Sequence, residues 1–237
     1  MSGQLLGYLR PTIAPAITLT RIAIILLGLA LWFWTQTLLA RRKPLTNGTA
    51  DGGRIGDGIH FLTAKINRDL NQHPKKADAL LISSSLVIDL LGFYLLASAI
   101  FGSTIEPYLG LLMLFALRQF CQAFCPLPPP PGMIWRSPGF PAILVTYRTS
   151  SDLFFSGHTA IAVYGAATLA SAFGWIGIAL GCAIVLFEAG AVLVLRAHYT
   201  MDVFAGIVTA LYVHRLAISF APSVDQWIAH AAKMVHG

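Results

Sequence analysis

The chain has 237 residues, of which 56% are hydrophobic and only 11% charged, against about 25% charged in ordinary soluble domains. With a mean hydropathy of +0.70, this composition excludes a soluble globular domain and points to an all-α polytopic membrane protein built as one integral membrane domain over residues 1–237. The net charge of +6 suits anionic lipid surfaces, and no nucleic-acid motif is present to claim it.

A bilayer-spanning helix takes roughly 20 apolar residues. Six segments approach that length, so a six-transmembrane-helix bundle is expected. The first runs from Ile17 to Ala40. It is too long for a signal peptide, and no small-residue cleavage site precedes Arg41-Arg42-Lys43. The loop 41–78 follows, with eight Lys/Arg and four Asp. Within it Ile59, Leu62, Ile66 and Leu70 share a helical face, which fits a helix lying in the membrane interface or an ordinary solvated loop helix. His60, just after Asp57-Gly58-Ile59, reads as interfacial.

The second and third spans are Ala79 to Phe101 and Tyr108 to Leu127. A second polar insertion, Pro126 to Asp152, opens with Leu127-Pro128-Pro129-Pro130-Pro131-Gly132, whose prolines favour an extended path. Spans four, five and six are Phe155 to Phe173, Trp175 to Leu195 and Met201 to Phe220. Cys121, Cys125 and Cys182 lie in spans and read as apolar packing residues. Cys121 and Cys125 share a face, but further zinc ligands are lacking, and no metal or other cofactor is expected. Trp32, Trp34, Trp135 and Trp175 read as interfacial anchors.

Two motifs carry chemistry. Ser156-Gly157-His158-Thr159 precedes an apolar helical run, which makes Ser156 an N-cap candidate. A helix N-terminus offers free N–H groups and partial positive charge to a phosphate, and Gly157 lets backbone approach an anion. His158 is then placed to donate a proton to a leaving oxygen. The second motif is His198-Tyr199-Thr200-Met201-Asp202. If a helix begins here, His198 and Asp202 lie on one face and can pair. A carboxylate on one imidazole nitrogen fixes the tautomer and sharpens the other as a nucleophile. Each motif alone has a bland reading, a chance tripeptide or a capping aspartate. Together, at helix starts on the same membrane side, they allow one histidine to attack phosphorus while the other protonates the departing alcohol, with no metal.

The segments Asp152-Leu153-Phe154-Phe155-Ser156-Gly157-His158-Thr159 and His198-Tyr199-Thr200-Met201-Asp202-Val203 resemble the sphingomyelin synthase-like branch of the type-2 phosphatidic acid phosphatase superfamily. Arg118-Gln119-Phe120-Cys121 followed by Leu127-Pro128 is similar to the arginine-bearing helix and leucine-proline turn of that branch. The stretch also resembles the plant phosphatidylcholine:diacylglycerol cholinephosphotransferases. The likeness covers residues 78–215, with the motifs within 118–215. It implies six helices and a phosphohistidine, with His198 as nucleophile, Asp202 as its orienting carboxylate and His158 as general acid/base. The phosphohydrolase branch carries a lysine, six intervening residues and then Arg-Pro; here Arg10-Pro11 is present, but Gly3 stands at the lysine position. That branch also carries Ser-Arg where this chain has Ala191 and Val192. Both departures favour a transferase.

Ser156, Gly157, Arg118, Arg148, Arg196 and Asp152 are the candidates for holding the phosphate and headgroup. Arg118 lies inside an apolar span, where a charge requires a partner or a polar cavity. The intramembrane acids Asp89 and Glu188 are further candidates; Glu188 either takes part in the chemistry, pairs with Arg118 or sits protonated in the bundle. His214 and Arg215 read as interfacial. The basic residues of loop 41–78 would place the catalytic side in the cytoplasm, whereas the resemblance implies an extracytoplasmic active site. The sequence therefore supports an enzyme moving a phospho-headgroup such as phosphocholine from a membrane phospholipid donor to a lipid alcohol acceptor, diacylglycerol or ceramide. The alternatives are a lipid phosphate phosphohydrolase and a non-catalytic lipid-binding or transport protein.

Overall fold

A computed structural model describes residues 15–40, 55–125, 127–139, 142–145, 147 and 153–236. Gly3, Arg10, Pro11, Arg41, Arg42, Lys43, Arg148 and Asp152 lie outside these described residues. The described residues form seven helices: α1 (Pro15–Ala40), α2 (Gly58–Leu62), α3 (Ala64–Gln72), α4 (Pro74–Phe101), α5 (Glu106–Phe124), α6 (Gly157–Val194) and α7 (Thr200–His236). The chain is an integral, multi-pass, all-α membrane protein. Among the described residues, four helical runs are long and apolar enough to cross a membrane: Pro15–Leu38, Pro74–Phe101, Gly157–Val194 and Thr200–Ala232. Four polar residues of α5, namely Glu106, Arg118, Gln119 and Gln122, dilute its hydropathy.

The 38 residues of α6 would reach roughly 57 Å as one straight helix. They do not, because the backbone breaks at Gly174 with φ 58° and ψ −133°, a conformation that costs glycine nothing and an L side chain a great deal. Past this break the chain doubles back. A Cβ on Gly181 would come within 2.7 Å of the Ala166 Cβ, and one on Gly177 within 2.0 Å of the Leu169 carbonyl oxygen. Such contacts across 15 and 8 residues require two antiparallel arms. The break falls between the expected spans ending at Phe173 and starting at Trp175. By contrast, α7 runs well past the expected end at Phe220, through Pro222.

At the bundle centre α7 packs against α1, α5 and α6, and α4 against α6. The core joins Leu91 and Leu95 of α4, Leu111 and Leu114 of α5, Tyr164 of α6 and Val213 of α7. Gly110 leaves the space that the Tyr164 ring fills. At one end Arg21 is buried and paired to Asp225 at 2.7 Å, and it donates to the carbonyls of Ala99, Gly102 and Ser103. A cation in an apolar span is costly unless paired in this way, and the pair ties α1 and α7 to the α4–α5 turn. At the other end lie α2, α3 and the connections leading into α6 and α7.

The amphipathic stretch Ile59 to Leu70 forms two short helices with a break at Thr63. Leu70 turns inward against Ala77, Leu81, Ile134 and Leu195, while Phe61, Leu62 and Ile66 are exposed. The intended apolar face is thus split. The residues that dock these helices are polar. Asn67 donates to the carbonyls of Gly132 and Val194 at 3.1 and 2.9 Å, and His60 is buried. Trp34 and Trp175 are exposed, as anchors should be, but Trp32 is buried and Trp135 is half-buried within the core, which corrects the reading of these two as interfacial anchors.

Candidate active site

The two motifs meet through their backbones. Ser156 caps α6 in an extended conformation, its Oγ accepting the Thr159 N–H at 3.4 Å. Its own N–H donates to the carbonyl of Asp202 at 3.0 Å. Gly206, one turn along α7, permits this approach: a Cβ there would fall 2.8 Å from the Ser156 carbonyl oxygen. The N-termini of α6 and α7 are therefore clasped. His158, in the first turn of α6, and His198, just before α7, are both buried. They line one cavity of about 50 Å³ together with Arg118, Gly157 and Trp135. The Trp135 ring meets His158 edge-on at 5.4 Å.

The position of His198 follows from how α6 ends. Ala197 N–H returns to the Val192 carbonyl at 2.9 Å and Arg196 N–H to that of Leu193 at 3.2 Å, which satisfies the last free carbonyls of the helix. The turn requires a left-handed residue, and Arg196 takes it with φ 54° where glycine is usual. Its guanidinium donates to the carbonyls of Pro131 and His60. Ile134 N–H adds a bond to the Leu195 carbonyl at 2.8 Å. The proline segment is shaped to meet this end: Met133 N–H returns to the Pro130 carbonyl at 3.1 Å, closing a turn with Pro131 and then Gly132 at φ 78°, the residues a type II turn selects.

Asp202 accepts the Tyr199 N–H on Oδ2 at 2.8 Å, and the same oxygen lies 3.6 Å from His198 Nδ1. This is ion-pair spacing, longer than a hydrogen bond. His198 Nδ1 and Asp202 Oδ1 are both buried without a hydrogen-bond partner. Arg118 donates from Nε to the Phe155 carbonyl at 3.0 Å, and a Cβ on Gly157 would sit 3.0 Å from that nitrogen. The arginine thus passes directly beside the free N–H groups of α6.

His158, His198, Asp202, Ser156, Gly157 and Arg118 are brought together. Arg196 is near in sequence, but its guanidinium is turned to Pro131 and His60 and lines a separate hollow with Asn67 and Asn71. Glu188 is fully buried, accepts the Ser84 hydroxyl on Oε2 at 2.7 Å, and has no partner on Oε1; it is not among the residues lining the histidine cavity. Asp89 receives the N–H groups of Ile143 and Leu144 at 3.0 and 2.9 Å, and so fixes the segment whose Leu144 and Val145 wall that cavity.

Sequence reasoning passed over a latch from the first loop. Asp57 caps α2 by accepting the N–H groups of Ile59 and His60. It also accepts the Thr200 N–H at 2.6 Å and the Thr200 hydroxyl at 2.7 Å. His60 is not interfacial: its Nε2–H donates to the carbonyl of His198 at 3.0 Å. Burial works against the Asp57 carboxylate, but the Thr200 and His60 donors and the nearby His60 ring outweigh it and hold its carboxyl below the ordinary value of 3.8. The signal was an aspartate just before a short run holding the apolar Ile59, Phe61 and Leu62, an N-cap pattern in the segment Asp57-Gly58-Ile59-His60.

A multi-pass helical bundle bearing this site places the chain among integral membrane enzymes that move a phospho-headgroup between lipids, and comparison with known families carries that assignment. The family model described as AtPDCT1/2 matches residues 57–219, more than half of the sequence, and the chain belongs to that family. The match bears out the resemblance drawn from the two histidine motifs, and it begins at Asp57, the latch residue. No curated protein and no solved structure matches the chain.

Proposed function

We propose that the enzyme transfers a phospho-headgroup, such as phosphocholine, from a glycerophospholipid to diacylglycerol or ceramide through a phosphohistidine. The observation that carries this reading is the clasp between Ser156 and Asp202, which supports His158 and His198 facing one cavity beside Arg118. With Nδ1 turned to Asp202, His198 presents Nε2 to phosphorus. In the first half-reaction the Nε2–P bond forms and the P–O bond to the donor glyceride breaks, the departing oxygen taking a proton from His158. In the second, the acceptor hydroxyl gives its proton to His158, its oxygen bonds phosphorus, and the Nε2–P bond breaks. Arg118, Ser156 and the N–H groups at Gly157 and His158 hold the phosphoryl oxygens. Arg148 and Asp152 remain headgroup candidates on the sequence reading, and Arg196 serves through the loop that it clamps.

We read the fold as a single domain with six spans. The antiparallel arms of α6 support two of these, and the 19 residues of α5 reach roughly 28 Å, close to the bilayer core. The motif likeness supports an extracytoplasmic catalytic end. The deciding measurement incubates purified protein with headgroup-labelled phosphatidylcholine and either diacylglycerol or ceramide. Labelled lipid product supports transfer; labelled water-soluble phosphate ester would move the assignment to hydrolysis.

A further inference from the structure

A second cavity, of about 580 Å³, lies between α4, α5, the first arm of α6 and α7, within the size range of small-molecule sites. It is remote from the histidines on three helices. Glu106 precedes Arg118 by 12 residues, Ser171 follows His158 by 13, and His214 follows Asp202 by 12, or roughly 18–20 Å at 1.5 Å per residue. The cavity therefore belongs to the membrane half opposite the catalytic end.

Its walls divide by chemistry. Phe101, Phe173 and Ile218 line it and are 67%, 46% and 52% exposed, so its apolar side is continuous with the lipid-facing surface. Glu106 and His214 line it too. Glu106 Oε1 accepts the Tyr164 hydroxyl and stands 3.4 Å from His214 Nδ1, which is buried without a hydrogen-bond partner. His214 is thus not an interfacial residue but half of an acid–imidazole pair at the edge of an apolar slot. An amphiphile fits such a site, and the exposed apolar wall makes the bilayer its source.

The head of that amphiphile is selected by charge. A phosphate requires a cation, yet Arg21, whose guanidinium bonds the carbonyls of the lining residues Gly102 and Ser103, is neutralised by Asp225. Glu106 adds an acidic group to the lining, not a cation. A hydroxyl is matched on both counts, since it donates to the carboxylate and accepts from the imidazole. We propose that this cavity is a non-catalytic binding site for a neutral lipid bearing a free hydroxyl, of the diacylglycerol class. No reaction occurs there, so the proposal stands apart from the histidine chemistry.

The test is photo-crosslinking of the full chain in phosphatidylcholine nanodiscs with a photoactivatable diacylglycerol, followed by peptide mapping. Label is expected on peptides containing Phe101, Phe173 or Ile218. It should be competed by unlabelled diacylglycerol but not by phosphatidic acid, and it should be unchanged in His198→Ala. Ala172→Trp and Ser171→Trp, two separate ways to fill the cavity, should each lower this label several-fold while label at the catalytic end persists, which also reports that the protein is folded. Glu106→Gln, which keeps the shape, should weaken competition by diacylglycerol. Label confined to the catalytic end, label undiminished in the folded tryptophan variants, or equal competition by phosphatidic acid would overturn the proposal.

Discussion

The backbone N–H of Ser156 donates to the carbonyl of Asp202 at 3.0 Å, so the residue that caps α6 is bonded to the carboxylate residue in the first turn of α7. Gly206 makes this approach possible, and the Cβ of an alanine there would meet the Ser156 carbonyl oxygen at 2.8 Å. Because that neighbour is backbone, it cannot swing aside. Gly206→Ala is expected to push the helix N-termini apart and to lower kcat by an order of magnitude or more, in keeping with the sensitivity of catalysis to misplacement of about 1 Å. Headgroup-transfer kinetics on purified variant and wild type check this.

Replacing the proposed nucleophile should remove turnover, whereas replacing its orienting partner should only impair it. His198→Ala is expected to be inactive and to form no acid-labile phospho-enzyme from headgroup-labelled donor. Asp202→Asn retains an oxygen for the Tyr199 N–H, so the fold persists, but the orientation and tautomer of His198 are lost; a fall of about 10²–10⁴-fold in kcat is expected. Wild-type turnover in His198→Ala would rule out the phosphohistidine route.

The Asp57 latch predicts a pH signature. Its folded carboxyl lies below the unfolded value of 3.8, so its contribution is present above that pH and is lost as pH falls through the lower folded value. Asp57→Asn is expected to lower stability by about 1–2 kcal/mol near neutrality, and the gap to wild type should close in strong acid. Thermal unfolding of both proteins between pH 2 and pH 7 measures it.

Asp89 and Glu188, two acids buried in the span region, should behave differently. Asp89→Ala strands the N–H groups of Ile143 and Leu144, at about 1–3 kcal/mol for each buried group left unpaired, and frees the wall of the histidine cavity. Both stability and transfer rate should fall. Glu188→Gln preserves an acceptor for the Ser84 hydroxyl and lies off that cavity, so it should turn over within about twofold of wild type, a change too small to reflect loss of a general acid or base. Parallel unfolding and activity measurements on the two variants separate wall from chemistry.

Arg196 tests the clamp. Arg196→Gly relieves the left-handed backbone, worth about 1 kcal/mol, yet deletes the bonds to Pro131 and His60. Arg196→Ala keeps the strain and deletes the same bonds, and it should be the less stable of the two. Neither should change affinity for the donor headgroup, whereas Arg118→Lys is expected to weaken it, since the Arg118 guanidinium passes beside Gly157. Melting temperature together with KM for phosphatidylcholine distinguishes these effects.

The sequence by itself determined the membrane class, the helical segments, the break between Phe173 and Trp175, and the two histidine motifs. Each is a local property: apolar length reports a span, the end of one span beside the start of the next reports a break, and His-x-x-x-Asp at a helix start reports one face. Only the tertiary structure decided which polar groups satisfy which backbone. His60 looked interfacial until its Nε2–H met the His198 carbonyl. Trp135 looked like an anchor until it met His158, Arg196 looked like a phosphate ligand until it met Pro131, and His214 looked interfacial until it met Glu106. The reason is that burial in a bilayer penalises a carbonyl or charge left without a partner, and which partner comes into contact is set by how the helices pack, which no spacing along the chain records.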